Sequence, residues 1–332
     1  MRLLRVLVLI LALLPVTWLH ESAPQDVFAE QATFTDLMPS IRAEGPIPQL
    51  GALTLIGAWR IDSPDARNGN FSTLGIMPDG RMVSFTDKNA VMLFPRPDRA
   101  RAATVPVHFD VPFRGDWRYV PVEGDSESAI VDAEAGQFFV GYETSRFFRR
   151  YPFDFSERID IPAPVLLRWP ENQGPEAMTR LLDGRVVVMG EVFADLANRR
   201  RHEVLIYPGW PTAFEKPALA SIWMPEGSRP TEATTLPDGR VLVLGRRATL
   251  GGFRTVVTLL DPAALQPGAN VTPQVIAEIS DSRFRENYEG MTTTREPDGS
   301  LALWLISDSN LNVWLQRSLL LKLRLNLPAQ CR

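Results

Sequence analysis

The sequence has little cysteine and little histidine. Cys331 is the only cysteine among 332 residues, so no disulfide can form within the chain and the fold must depend on a large apolar core. The three histidines form no HExxH pattern and no cluster, which removes the usual ligands of a zinc hydrolase. A GxSxG elbow and the glycine spacings of nucleotide-binding loops are absent too, so a serine triad of that type lacks parts.

A surplus of positive charge is also missing. The chain carries 35 Lys and Arg against 39 Asp and Glu, a net charge of -4, which argues against nucleic acid as a partner. Its longest apolar run, residues 6–19, is shorter than the roughly 20 residues of a membrane span. With Arg2 and Arg5 before it, this run predicts an export signal over residues 1–23, and therefore a periplasmic or secreted protein. If the signal stays uncleaved, it would anchor the protein in the inner membrane.

What the sequence does contain is a repeat. Two apolar segments joined by a turn glycine recur five times, as in "GPEAMTRLLDGRVVVMGE" at 174–191 and "RPTEATTLPDGRVLVLGRR" at 229–247. The turn glycines lie 48 to 60 residues apart: Gly80, Gly136, Gly184, Gly239 and Gly299. Segments such as "RVVVMG" are apolar on both faces and must be covered on both sides. This period and pattern predict an all-β fold, a single β-propeller of five blades.

The propeller is expected to span residues 51–326. The segment "ALTLIGAWRI" at 52–61 would complete the last blade beside residues 319–325 and close the ring. A sixth blade would have to lie in residues 89–125. Residues 24–50 lack clear periodicity and are expected to wrap the outside, while 327–332 form a tail.

Carboxylates recur at the ends of these hairpins. The first strand begins with Glu in four of the five repeats: Glu127, Glu176, Glu232 and Glu289. The second strands end at Asp87, Glu143, Glu191, Arg246 and Asp308. If each first strand is the innermost of its blade, up to eight carboxylates gather at one mouth of the central channel, with Lys88, Arg246 and Arg247 as nearby positive charge.

Such a ring of like charges either raises the pKa of its members or attracts a cation. Oxygen-rich sites suit Ca²⁺ or Mg²⁺, so we expect a metal, taken here as Ca²⁺, among Glu127, Glu176, Glu232, Glu289 and Asp308. The alternative is structural: each Glu would accept backbone N–H bonds from a neighbouring blade.

The order of these motifs resembles a known family, the phytase-like or esterase-like exported propellers of bacteria. The resemblance covers residues 50–326 and is most specific at Asn287-Tyr288-Glu289-Gly290, Ser307-Asp308-Ser309-Asn310 and Gly174-Pro175-Glu176-Ala177. It implies a calcium-linked propeller that hydrolyses phosphate esters or other esters. The sequence departs from the family pattern at Ser72 and Thr73, where an acidic residue or glycine is usual.

Two classes of function remain open from the sequence. In the first, a Ca²⁺-dependent hydrolase acts on a small phosphomonoester or related ester, with Glu191 or Glu143 as general base and Arg246 or Arg247 bearing charge on the leaving group. Glu176 would serve both metal and catalysis, and Asp87, Lys88 and Asn310 would contact the substrate. In the second, a non-catalytic propeller binds an envelope component or small ligand. A gluconolactonase-type lactonase is a third reading. The chain is expected to be monomeric.

Overall fold

The computed structural model describes residues 28–65, 67–88, 90–110, 125–143, 147–170, 173–194, 199–249, 252–309 and 316–327. These residues form five sheets arranged as the blades of a β-propeller, antiparallel except for a short parallel pairing of Ser221 and Ile222 with Asn270 and Val271. The prediction of an all-β, five-bladed propeller is therefore confirmed. The predicted export signal, Cys331 and Asn310 lie outside the described residues.

Each blade is built from consecutive hairpins, named here in chain order. Blade 1 contains β3 (Gly75–Ile76), β4 (Met82–Phe85), β5 (Val91–Phe94) and β7 (His108–Asp110). Blade 2 contains β8 (Ser126–Asp132), β9 (Gln137–Tyr142), β10 (Phe147–Pro152) and β11 (Ile159–Pro162). Blade 3 contains β12 (Ala177–Arg180), β13 (Val186–Phe193), β14 (Arg201–Tyr207), β15 (Ala218–Trp223) and β19 (Asn270–Val271).

The last two blades complete the ring. Blade 4 contains β16 (Arg229–Thr235), β17 (Val241–Thr249), β18 (Gly252–Leu260) and β20 (Gln274–Ile279). Blade 5 contains β21 (Asn287–Arg295), β22 (Leu301–Asp308), β23 (Leu319–Leu325), β2 (Leu53–Asp62), β1 (Gln31–Asp36) and β6 (Thr104–Pro106). A short helix, α1 (Met38–Ala43), connects β1 towards β2. Three single 3₁₀ turns lie at Pro97–Arg99, Pro164–Arg168 and Pro262–Ala264.

The ring is closed by β2, as the sequence predicts. This strand pairs antiparallel with β23, with Leu53 opposite Leu325 and Arg60 opposite Leu319. An N-terminal strand thereby joins the C-terminal blade, which removes a free sheet edge and ties the two ends of the ring together. The strand β1 (Gln31–Asp36) lies within the segment expected to wrap the outside of the propeller. It extends the same sheet outward beyond β2.

The apolar segments are buried on both faces, as their composition requires. In β13, Val186 and Val188 pack towards blade 2, in a cluster that includes Phe139. Val187 and Met189 of the same strand pack towards blade 4, beside Val243. Because adjacent strand residues point to opposite faces, one continuous apolar run fills two inter-blade layers. Full burial of each such side chain contributes about 1.5–3 kcal/mol, which is how the fold manages without disulfides.

The Pro-Asp-Gly turns keep the hairpins in register. Gly80, Gly239 and Gly299 have φ of +85°, +90° and +81°, values that side chains with a Cβ rarely adopt. Residues 89–125, the alternative location for a sixth blade, contain β5, β6 and β7. Of these strands, β5 and β7 belong to blade 1 and β6 belongs to blade 5. Among the described residues, no helix has the length and apolarity needed to cross a bilayer.

Candidate functional site

The first strands of the five hairpins are the innermost strands of the blades. They are β3, β8, β12, β16 and β21, and each contacts its neighbours around the central channel. All five run in the same sense, because each enters from the preceding blade and ends at its hairpin turn. We call the end of the channel where they begin the acidic mouth, and the end beside the turns the far mouth.

Three carboxyl groups meet on the blade 2 side of the acidic mouth. Asp125 precedes β8, Glu127 lies within it, and Glu143 follows β9; one oxygen of each lies within 4.8 Å of the others. Glu127 is the extra residue in a one-residue register shift between β8 and β9, since Ser126 faces Tyr142 and Ser128 faces Gly141. Such a bulge turns a side chain out of the regular alternation. Here it brings Glu127 towards the two other acids.

This group, the acid trio, is electrostatically crowded. Burial and the neighbouring carboxylates raise the pKa of Glu127 well above its usual range, and the pKa of Glu143 to about 8. Burial also raises the pKa of Asp125. Its buried Oδ1 has no hydrogen-bond partner among the described residues. Crowded, incompletely bonded carboxylates are stabilised by a bound hard cation, and the trio provides the oxygen ligands that Ca²⁺ and Mg²⁺ prefer.

Asp87 lies beside the trio. Asn70 donates a hydrogen bond to its Oδ2 at 2.9 Å, while its buried Oδ1 has no partner among the described groups. Burial raises the pKa of Asp87 to about 7, and the positive charge of Lys88 opposes that shift. Lys88 opposes the shift of Asp125 as well, so its positive charge acts on this side of the mouth.

The opposite side of the mouth supplies its own positive charge. Arg246 Nη2 donates to Glu191 Oε1 at 3.2 Å, and Nη1 donates to Glu289 and, at 3.0 Å, to Asn287 Oδ1. Arg229 donates to the other oxygen of Glu191 at 2.6 Å. We call Arg246, Arg229, Glu191 and Glu289 the arginine cluster. Its carboxylates are paired with arginines, whereas no ion pair joins the trio to a basic side chain within the described part of the chain.

Asn287 and His202 support this cluster from behind. The amide of Asn287 donates to Glu289 at 2.9 Å and to Asp308 at 3.1 Å, which fixes both carboxylates. His202 is fully buried, and its Nδ1 lies 3.0 Å from the backbone oxygen of Glu191. Burial lowers the pKa of His202, and the contact of its ring with the backbone oxygen helps to position Glu191.

Glu176 lies between the trio and the arginine cluster. Its side chain is 6% exposed, and no hydrogen bond or ion pair to another described residue holds its carboxyl group. Burial is the largest cause that raises the pKa of Glu176 well above its usual range. The negative charges of Glu191, Glu289 and Glu143 raise this pKa further, whereas the positive charge of Arg246 lowers it. Glu176 is therefore a protonatable group that faces both halves of the mouth.

Glu232 is not at this level of the channel, contrary to the expectation of a ring of four equivalent glutamates. In blade 4 the extra residue of the register shift is Thr231, so Glu232 lies opposite Leu244, one step deeper. Burial raises its pKa well above the usual range, and the opposing influences are backbone N–H groups of Ala233, Leu74 and Met178 rather than charged side chains. This contact resembles the structural alternative of backbone stapling.

Two other predicted positions differ from expectation. Arg247 is exposed and packs near Gly227, because it follows Arg246 on a strand and points to the opposite face. Asp308 is buried behind Glu289 through Asn287 and is not part of the trio. Sequence reasoning overlooked Asp125 and Arg229. Asp125 stands two residues before Glu127, the spacing that places two side chains on one face of a strand.

The family follows from a comparison with known proteins. The model of the family described as phytase-like, with the esterase-like activity of phytase, matches residues 66–311. The chain belongs to this phytase-like family. The matched residues include the acid trio, Glu176 and the arginine cluster. No curated protein matches the sequence significantly.

Some solved structures are similar to the chain at low sequence identity. An enzyme of carbohydrate-active family AA12 from Trichoderma reesei is 9% identical, with a TM-score of 0.45, and the match covers 83% of this chain and 99% of that one. A hypothetical protein from Leishmania major is 13% identical (TM-score 0.44; 86% and 93% covered). The aldose sugar dehydrogenase of Streptomyces coelicolor, bound to PQQ, is 11% identical (TM-score 0.42; 84% and 99% covered).

Proposed function

We propose that this phytase-like propeller is a divalent-cation-dependent hydrolase of small phosphate esters or related esters, acting at the acidic mouth. The observation that carries the proposal is the acid trio: three carboxyl oxygens within 4.8 Å of one another, with Oδ1 of Asp125 lacking a partner among the described residues. The trio lies across the mouth from a guanidinium group, and positive charge on both sides would stabilise an anionic ester between them.

The donor set fits Ca²⁺ or Mg²⁺. Asp125, Glu127 and Glu143 would hold the ion, since all three are hard oxygen ligands and none of their oxygens is bound to a cationic side chain among the described residues. Asp87, with one unpartnered oxygen beside them, would accept a hydrogen bond from water or substrate. When bound, the ion would supply a Lewis acid that polarises an ester oxygen.

Arg246 would bind and orient the anionic group of the substrate. Its guanidinium is held from two sides by Glu191 and Glu289, so little conformational freedom is lost when it donates to a ligand. Lys88, on the trio's side, would provide a second positive charge. Glu191 is bound to two arginines, which makes it a positioning residue for Arg246 rather than the general base expected from the sequence.

Glu176 would serve as the group that exchanges a proton during ester hydrolysis. Its carboxyl group is bound to no other described side chain, and it lies between the cation-binding acids and Arg246. A carboxyl group that faces the reacting atoms without an ion-pair partner can exchange a proton with water or with the leaving oxygen. Glu143, the other candidate base from the sequence, lies within the trio and would be occupied as a ligand.

The test is turnover of p-nitrophenyl phosphate, p-nitrophenyl acetate and a sugar lactone with added Ca²⁺ or Mg²⁺ and with chelator. We expect hydrolysis that needs the cation and falls at least about 100-fold in Glu127→Gln and in Glu176→Gln. Glu157→Gln, a change at an exposed acid outside the channel, is the matched control and should retain full activity.

A second readout separates binding from catalysis. Calorimetric titration of Ca²⁺ should show binding that Glu127→Gln abolishes and Glu176→Gln preserves. Cation binding without turnover of any ester would favour the non-catalytic alternative, whereas turnover that is unchanged in chelator would refute the role of the trio.

We also infer that the protein acts as an exported monomer. Support comes from the sequence of residues 1–23 and from the closed ring, in which β2 covers an edge of the last blade. Expression with a cleavable tag, followed by N-terminal sequencing of the periplasmic fraction and light scattering, tests both points.

A further inference from the structure

The far mouth of the channel holds a cavity that the proposed hydrolase reaction does not use. Its volume is about 400 Å³, within the range of small-molecule sites. It is lined by the turn-proximal halves of the inner strands, from β3 on one side to β21 on the other. Because these residues end at the hairpin turns, the cavity opens on the face opposite the acid trio.

Glu232 forms the floor of this cavity. Its side chain is 2% exposed, and Oε1 accepts a hydrogen bond from the N–H of Ala233 at 3.0 Å. Leu74 and Met178, whose N–H groups also favour its charged form, line the same cavity. Yet Oε2 is buried with no hydrogen-bond partner among the described residues. A buried carboxyl oxygen without a donor is costly, and a ligand that donates a hydrogen bond to it would remove that cost.

The charge around the cavity indicates the class of ligand. The acids that line it are Glu232, Asp132 and Glu134, and Arg180 is the only basic residue among the described lining residues. Arg180 is engaged elsewhere: its guanidinium lies over the ring of Trp210, 5.3 Å from the centroid, and 3.9 Å from Glu134. Among the described residues, no basic side chain forms an ion pair with Glu232.

The remaining polar wall can bind donors but carries no charge. Thr179 and Thr235 share a hydrogen bond of 2.8 Å between their hydroxyl groups, which leaves lone pairs facing the cavity. An ammonium group has three donors and a positive charge, which matches one unpaired carboxyl oxygen and adjacent hydroxyl oxygens. A neutral polyol would satisfy the hydrogen bonds but would supply no positive charge to stabilise the ionised form of Glu232, which burial disfavours.

We propose that the far-mouth cavity is a second ligand site, which binds a small organic cation through a primary ammonium group with the Glu232 carboxylate as its counter-ion. This site is independent of the hydrolase proposal, since it uses the opposite face of the ring and none of the residues of the acidic mouth. Asp132 would add long-range attraction at the rim, although its own oxygens accept bonds from Ala135 and Gln137.

The experiment is calorimetric titration of the full chain with 1,4-diaminobutane, 1-aminobutane and 1,4-butanediol. The two amines should bind and the diol, which has the same length without charge, should not. Glu232→Gln should weaken the binding of both amines at least about tenfold, because it removes one partner of a buried charge pair. Glu157→Gln, at an exposed acid away from the channel, should leave the affinity unchanged.

Two further variants serve as controls for the location of the bound amine and for the folding of Glu232→Gln. Glu127→Gln alters the acidic mouth, so it should not change amine binding; a loss as large as in Glu232→Gln would place the amine at the wrong mouth and overturn the proposal. Arg180→Gln keeps Glu232 and removes the competing cation, so it should tighten amine binding about two- to threefold even if Glu232→Gln fails to fold.

The contrary results are clear. Equal affinity for the diol and the diamine would contradict the ammonium class. Absence of any heat of binding with both amines at millimolar concentration, or unchanged affinity in a folded Glu232→Gln protein, would contradict the site itself.

Discussion

The two sides of the acidic mouth differ in how their buried carboxylates are compensated. On the side of blades 3 to 5, Arg246 and Arg229 neutralise Glu191 and Glu289 at hydrogen-bonding distance. On the side of blade 2, Asp125, Glu127 and Glu143 face one another, and Lys88 is the basic side chain that acts on Asp125 among the described residues. The first side is complete as folded. On the second side, the pKa values of all three carboxyl groups are raised. A divalent cation would stabilise their ionised forms, so we propose the metal site on this side.

The largest expected effect is the loss of Arg246. Arg246→Met leaves Glu289 and Glu191 partly buried without their shared cation, and removing one partner of such a cluster costs about 3–5 kcal/mol. Urea unfolding of the metal-free protein measures this loss. Arg254→Met removes an exposed arginine from a surface pair with Glu278 and should cost less than about 1 kcal/mol. Similar losses in the two variants would contradict the contrast between the sides.

Glu191→Gln should have the next largest effect. It retains the shape of the side chain but removes the negative charge that accepts from both Arg229 and Arg246. Hydrogen bonds to charged groups contribute about 1.5–3 kcal/mol, so we expect a loss of about 2 kcal/mol in the same unfolding assay. An unchanged unfolding midpoint would mean that the arginine cluster is not a stabilising unit.

The pH dependence should come from the blade 2 side. The pKa of Asp87 is raised to about 7, so the folded protein binds more protons than the unfolded chain between about pH 4 and pH 7. Stability of the metal-free protein should therefore fall as pH rises through this window, by at most about 1.4 kcal/mol per unit for this group. Asp87→Asn should make the fall shallower. Stability that rises over the same window would contradict the assignment.

Glu127→Gln should give the smallest change, and one of opposite sign. Without metal, this substitution removes one of several crowded carboxylates, so stability should rise by about 1 kcal/mol. The matched comparison is Glu191→Gln, the same substitution on the other side of the mouth, which destabilises. Destabilisation by both variants would mean that the trio is already compensated within the protein.

Much of the fold could be predicted because it depends on local chemistry. A glycine at positive φ after Pro-Asp, followed by a run apolar on both faces, specifies a hairpin that must be covered by neighbours. The sequence contains five such hairpins and one unpaired N-terminal strand. This pattern predicts a ring of five blades in which β2 pairs with the last blade. The outer strand β1 could not be predicted, since its polar–apolar alternation spans only six residues and its pairing depends on a partner already in the sheet.

The site was only partly predictable because one-residue shifts decide where a side chain points. Glu232 stands seven residues before its turn glycine and Glu289 stands ten before its own, and this difference puts the two carboxylates at different depths. The bulges at Glu127 and Glu289 have no sequence signal that separates them from Thr231. By contrast, the outward direction of Arg247 and the inclusion of Asp125 follow from strand alternation and could have been deduced.

The central claim is that the blade 2 side of the mouth holds a divalent cation. Calorimetric titration of Ca²⁺ into the wild-type protein and into Glu127→Gln and Glu157→Gln tests it most directly. The account predicts one site per chain in the wild-type and Glu157→Gln proteins, and no binding in folded Glu127→Gln. Equal binding of Ca²⁺ to all three proteins, or to none, would contradict it.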